Sequence, residues 1–272
     1  MNAERQTILV AVEEEPYPRG PTGESCRLKL EDWLDLARKW ESKVDLEICP
    51  LGDLEGRQPD VVEAFSSRES ALTDRTFPTL QEHQLVSRFS NYWPAVERAK
   101  VPVIPVIQGE PEQFPIFVRG EQGTFAGGGR VENSATLQRL RKTGRKLVIR
   151  PFVEMKAAVN RKGVTLELRV HVVNGKAVAA EYLFPPWAAL RPTAAELDAG
   201  LQWTNEEAPW AREYSEKLAA ELQCRWFVAD FAWTPEGLRL IELNPGWCSG
   251  IAHAEAARAV HEAIVRAFPG TL

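Results

Sequence analysis

The stretch Val164–Tyr182 (VTLELRVHVVNGKAVAAEY) constrains the fold of this chain more than any other. Leu166, Leu168, Val170 and Val172 alternate with Glu167, Arg169 and His171, and Asn174-Gly175 follows directly. A period of two sends the two sets of side chains to opposite faces of a strand. Asn-Gly accepts the two positive φ angles of a tight type I′ turn. The segment therefore reads as an antiparallel hairpin with one apolar and one polar face, and another layer must cover the apolar one. On the polar face Glu167 and Arg169 stand side by side, either as a surface ion pair or as part of a site. His171 is expected to face solvent.

A second hairpin is read at Trp226–Trp233 and Leu238–Asn244, about the loop Pro235-Glu236-Gly237. A three-residue loop, with Pro opening a type I turn and Gly in the left-handed position, pairs Thr234 with Leu238. Asp230 then lies opposite Glu242. Asp230 is expected to share a face with Val228 and Ala232, and Glu242 with Leu240 and Asn244. Two carboxylates directly across a ladder repel one another, and here they interrupt runs otherwise fit for burial. With Asn244 they offer three hard oxygen ligands of the kind Mg²⁺ takes, waters and phosphate oxygens completing the octahedron. A solvated acidic edge is the alternative.

The remaining elements are shorter signals. Thr7–Val12 and Val44–Ile48 read as strands flanking a helix marked by Leu30, Trp33, Leu34, Ala37 and Trp40, a small α/β lobe. Leu85, Val86, Phe89, Trp93 and Val96 mark an amphipathic helix ended before Val101-Pro102, and VPVIPVI is an extended connector. Phe114–Arg119 is a strand running into the glycine-rich loop Gly120–Arg130 (GEQGTFAGGGR), with a helix capped by Ser134 beyond it. Leu147–Val153 is the next strand. Leu183–Pro209 reads as a long insertion, Trp210–Leu222 as a helix, and Ser249–Phe268 as a closing Ala-rich helix.

The glycine loop offers backbone N–H groups that can wrap phosphate oxygens. It lacks the Gly-Lys-Ser/Thr ending of a P-loop and the spacing of a dinucleotide fingerprint. A flexible surface turn is the alternative, but Arg119 before the loop and Arg130 at its end add fixed positive charge. Composition narrows the class. A net charge of −5 argues against a duplex-coating nucleic-acid protein. No apolar run approaches a membrane span, and Cys26, Cys49, Cys224 and Cys248 are too scattered for a CxxC site. A cytoplasmic protein with reduced thiols and no nucleic-acid or membrane partner is expected.

Taken in order, these residues resemble the ATP-grasp superfamily over about residues 95–250. That resemblance implies an α/β (α+β) fold: an N-terminal lobe at 1–98 and an ATP-grasp domain at 99–272, with a glycine-loop lid subdomain at 99–150 and a metal-site subdomain at 151–272. It implies ATP and a pair of Mg²⁺ ions as cofactors. Arg119, Gly127, Gly128, Gly129, Arg130, Arg150 and Arg169 would contact phosphate, and Phe152 and Val153 would edge the adenine. Glu154 would hold ribose, and Asp230, Glu242 and Asn244 would ligate metal, with Arg119 and Arg169 in catalytic roles. The chain departs from many members in carrying arginine at 119 and 150, where they carry lysine. The activity implied is a carboxylate–amine ligase working through an acyl phosphate, on small carboxylate and amine substrates, as a monomer or homodimer. A small-molecule kinase or a nucleotide-binding regulator are the alternatives. Trp187, Arg191, Trp203, Trp247 and Cys248 are candidates for the substrate walls.

Overall fold

A computed structural model describes residues 6–12, 44–50, 61–65, 76–77, 79–122, 129–155, 167–183, 194–246, 251 and 253–267. The N-terminal strands β1 (Gln6–Val12), β2 (Val44–Pro50), β3 (Val61–Phe65) and β4 (Thr76–Phe77) form a parallel sheet in the order β2-β1-β3-β4. Parallel neighbours require crossovers, as the strand–helix–strand reading expected, although the helix marked by Leu30–Trp40 lies outside the described residues.

Helices α1 (Leu80–Ser87) and α2 (Phe89–Ala99) replace the single helix expected there. Thr79 and Glu82 close a capping box at the start of α1, and Arg88 is extended and separates the two helices. The Pro-rich segment that follows is extended, as expected, and ties two sheets together. Leu240 donates its N–H to Pro102 O at 2.8 Å, and Ile107 donates to Ile149 O at 2.8 Å.

The small antiparallel sheet has the order β6-β5-β7, from β5 (Ile116–Gly120), β6 (Gly129–Val131) and β7 (Leu147–Pro151). The glycine loop thus joins two paired strands instead of running directly into a helix, and Arg130 lies on a strand. Helix α3 (Ser134–Arg141) is capped by Asn133, whose Oδ1 accepts from Thr136 N at 3.0 Å. The cap is therefore one residue earlier than the expected Ser134. Either residue suits the role, and the turn of the chain out of β6 selects Asn133. Ile116, Val118, Val131, Leu137, Leu140 and Ile149 close this sheet's core against α3.

The central sheet runs β11-β10-β8-β9, from β8 (Glu167–Val173), β9 (Lys176–Leu183), β10 (Trp226–Thr234) and β11 (Gly237–Pro245). Asn174 and Gly175 have φ of 49° and 80°, as the two-residue turn demands. Leu168, Val170, Val172, Phe227, Ala229 and Phe231 face a core shared with α2 and α4 (Ala194–Leu222). Helix α2 packs here, although the sequence division assigned it to the N-terminal lobe. Helix α4 also corrects the reading of 183–209 as an insertion. Residues 194–209 are its first turns, and Pro209 sits inside the helix instead of bounding it. Trp203 packs on the central core. Helix α5 (Ala254–Ala267) covers the opposite face over β8 and β9.

Candidate functional site

One row of charge crosses the central sheet. Glu181 on β9, Arg169 on β8, Asp230 on β10 and Glu242 on β11 are successive register partners, so all four rise from the same face. Arg169 forks onto Asp230, Nε donating to Oδ1 at 2.8 Å and Nη2 to Oδ2 at 2.9 Å. Asp230 is 1% exposed. Burial alone would lower the guanidinium pKa. The charge and hydrogen bonds of Asp230, with Glu181 and Glu167, override it and push it up. Arg169 is therefore part of a buried fork, and not half of a surface pair with Glu167.

Asp230 does face Glu242, but by a different route from the three-residue loop. The turn holds only Pro235 and Glu236, since Thr234 pairs with Gly237 and Phe231 with Leu240. One extra residue, Ile241, then bulges from β11 and restores the pairing of Asp230 with Glu242. The bulge also reverses the alternation. Leu238 and Leu240 are buried before it, and Leu243 and Pro245 after it. Glu242 and Asn244 therefore face away from Leu240, the face on which the alternation had put them. The chain continues into Gly246, where an added Cβ would lie 2.2 Å from Trp226 Nε1. Only glycine fits beneath that indole.

Asn244 Nδ2 lies 2.8 Å from Asp230 Oδ2 and 3.0 Å from Glu242 Oε1, so the three oxygen-bearing groups converge within one amide's reach. Glu167 stands on the same face one step along β8. Burial, with the charges of Asp230 and Glu242, raises its pKa to about 8 against the opposing pull of Arg169.

The small sheet presents cations to this row. Arg130, Phe117 and Arg150 are register partners across β6, β5 and β7, and Arg119 lies two residues along β5 on the same face. Arg119 Nη1 donates to Glu242 Oε2 at 2.5 Å, spanning the two sheets. Arg150 Nη1 donates at 2.6 Å to the carbonyl of Ile241, the bulged residue. Its guanidinium lies 5.1 Å from the ring centroid of Phe89 and 5.6 Å from that of Trp93. Burial, joined by the like charge of Arg119, lowers the Arg150 pKa to about 10 although Tyr92 and Glu242 oppose the shift. The Nε atoms of Arg119 and Arg150 are buried without a hydrogen-bond partner. A buried donor left unmade costs about 1–3 kcal/mol, and an incoming anion would relieve it. Arg130 covers the Phe152 ring at 4.5 Å and pairs with Glu132 at 2.7 Å.

The sequence-derived residues thus gather at one junction, with three qualifications. Gly127 and Gly128, with Trp187, Arg191, Trp247 and Cys248, lie outside the described residues, whereas Gly129 opens β6 at φ 102°. Val153 and Glu154 follow β7 in extended backbone, Val153 half-buried and Glu154 exposed. His171 is fully buried, contrary to its expected solvation, because α5 covers that end of the face. Its Nε2 lies 2.8 Å from Glu181 Oε1, and Glu181 Oε2 accepts from His253 N at 3.0 Å. Sequence reading missed Tyr92, Glu181 and the aromatic bed of Arg150. Tyr92 was accessible to it, being three residues from Phe89 and four from Val96 on the apolar side of α2. Cys224 is a free, buried thiol whose pKa burial raises to about 12, consistent with an inert core residue.

The Mg²⁺ expected at Asp230, Glu242 and Asn244 can be tested against this geometry. Among the described residues no group of three or more His, Cys, Asp or Glu forms a metal cage. Two carboxylates and one amide instead suit a cation that keeps waters and brings phosphate oxygens with it, the usual habit of Mg²⁺. The residues fit such an ion, and the orphaned Arg119 and Arg150 donors fit its phosphates.

The comparisons agree with this geometry. A family model described as an ATP-grasp domain, family 3 of its clade, matches residues 55–264. No match is found among curated proteins. A RimK domain protein ATP-grasp from Sphaerobacter thermophilus superposes with TM-score 0.60 at 11% identity, covering 95% of this chain and 99% of that one. D-alanine–D-alanine ligase from Bacillus anthracis gives 0.59 at 10%, covering 96% of each. The ATP-grasp ligase PsnB, complexed with a phosphomimetic variant of its minimal precursor, Mg and ADP, gives 0.57 at 10%, covering 97% and 98%. Among the described residues no helix is long and apolar enough to cross a membrane.

Proposed function

The chain belongs to the ATP-grasp proteins, in the clade family whose model it matches, and from that premise we propose that it is an ATP-dependent carboxylate–amine ligase acting through an acyl phosphate. The observation that carries this reading is the junction of the two sheets, where Asp230, Glu242 and Asn244 meet Arg119 and Arg150. Oxygen ligands on one side and guanidinium groups on the other make a site for a metal-bound polyphosphate. The ligases among the structural neighbours support the reaction class.

In this reading a substrate carboxylate oxygen attacks the γ-phosphorus of ATP and ADP leaves. An amine then attacks the acyl carbon, phosphate leaves, and the amine nitrogen loses a proton. Asp230, Glu242 and Asn244 would hold Mg²⁺, which offsets charge on the transferring phosphoryl group. Arg119, Arg150 and Arg169 supply fixed positive charge already oriented by Glu242, Ile241 O and Asp230, so little reorganisation is needed at the moment of transfer. The segment containing Gly127, Gly128 and Gly129 would shield the acyl phosphate from water. Phe152, Val153 and Glu154 would receive the nucleoside.

The test is product mass. Purified protein incubated with Mg-ATP and pooled amino acids and small amines should release ADP and phosphate. It should also yield a species heavier than its carboxylate by the amine minus water. A product heavier by a phosphoryl group on an alcohol would instead identify a kinase. ATP left intact with every pool would reject turnover.

A further inference from the structure

Every carboxylate oxygen of the proposed metal site already has a partner. Arg169 occupies both oxygens of Asp230, and Asn244 Nδ2 shares Oδ2. Glu242 gives Oε1 to Asn244 and Oε2 to Arg119, whose side chain is only 6% exposed. The amide of Asn244 points its nitrogen at both carboxylates, so it acts there as a donor. As a metal ligand it would turn its oxygen inward. A divalent cation at these residues must therefore displace built-in donors before it gains a ligand.

Resting on the metal-nucleotide reading above, we infer that Arg119 is a resident counter-ion that competes with the divalent cation for Glu242 and is drawn away by the nucleotide's phosphates. Arg119 has somewhere to go. Its Nε is a buried donor without a partner, and a phosphate offers acceptors to the whole fork. With Glu242 freed, the carboxylate can take the metal. The exchange makes metal and polyphosphate binding cooperative, each raising the affinity for the other by one common factor. Metal alone meets an occupied Glu242, and nucleotide alone meets an Arg119 held by Glu242. The device admits the metal with its nucleotide and discriminates against either by itself.

The test measures binding, not turnover. Free Mn²⁺ is followed by electron paramagnetic resonance as it titrates the full-length protein, without nucleotide and with a non-hydrolysable ATP analogue. Wild type should bind Mn²⁺ weakly alone. Arg119→Met should bind it about tenfold more tightly without nucleotide, and should gain less from the analogue, a coupling of ordinary size. An unchanged nucleotide-free affinity in a folded Arg119→Met protein overturns the inference. The mirror experiment keeps the test open if that variant does not fold. In EDTA, Glu242→Gln should tighten ATP binding by several-fold more than Glu167→Gln does, because both remove a nearby carboxylate but only the first releases Arg119. Equal effects of the two variants overturn the inference as well. Mn²⁺ that fails to bind wild type even with the analogue would refute the metal site itself, a separate outcome.

Discussion

Arg169→Met should destabilise the fold as well as the site, and the size of the effect follows from the geometry. The fork onto Asp230 comprises two charge-assisted hydrogen bonds at 2.8 and 2.9 Å. The Arg169 side chain is 14% exposed and that of Asp230 is 1% exposed, so solvent screens the pair little. Removing one partner of a buried pair leaves the other uncompensated and costs about 3–5 kcal/mol. Two such bonds at about 1.5–3 kcal/mol each give the same range. Asp230 would keep only the Asn244 amide among the contacts described above. Asp230→Asn should cost less, about 1–3 kcal/mol, because Arg169 retains Glu181 and Glu167 as nearby charges. The double variant should be little worse than Arg169→Met alone, leaving a coupling of about 1–3 kcal/mol. Urea denaturation of the four proteins at pH 7 measures this cycle. Additivity within about 0.5 kcal/mol would refute the buried fork.

Two further outcomes follow. Gly246→Ala puts a methyl 2.2 Å from Trp226 Nε1 and should lower stability by about 1–3 kcal/mol, read as a fall in Tm. Glu167 binds a proton more readily in the fold than its ordinary value of 4.5 allows, its pKa being about 8. The folded state therefore holds more protons than the unfolded chain between these values, and stability declines as pH rises from about 4.5 through about 8. Glu167→Gln should flatten that part of a Tm–pH profile; an identical slope in the variant would contradict the assignment.

The legible parts of the fold were those with local causes. Asn174-Gly175 fixed its hairpin because few other dipeptides accept two positive φ angles. The order of arginines, glycine loop and Asp…Glu-x-Asn was readable as a resemblance. The junction itself was not, because it is made by contacts across sheets. Arg119 meets Glu242 and Arg150 meets Ile241 O across separations of 123 and 91 residues. The opposition of Asp230 and Glu242 was reached with the wrong turn. A two-residue turn plus a bulge gives the same pairing as a three-residue loop, and alternation alone does not locate a bulge. The face of Glu242 was consequently misassigned. Pro209 misled for a similar reason, since proline disfavours a helix interior without forbidding it, and packing against the central sheet carries α4 through it. The burial of His171 is invisible locally because the covering helix comes from residues 254–267, far along the chain.

The central claim is that ATP binds with its metal between the two sheets, and calorimetric titration of ATP tests it most directly. With Mg²⁺ present, wild type should bind one ATP saturably, and Glu242→Gln, at an unchanged Tm, should bind it at least about tenfold more weakly, because a neutral amide is a poor Mg²⁺ ligand of the same shape. Equal affinity of a folded Glu242→Gln protein for Mg-ATP, or no heat of binding in wild type, would contradict the account.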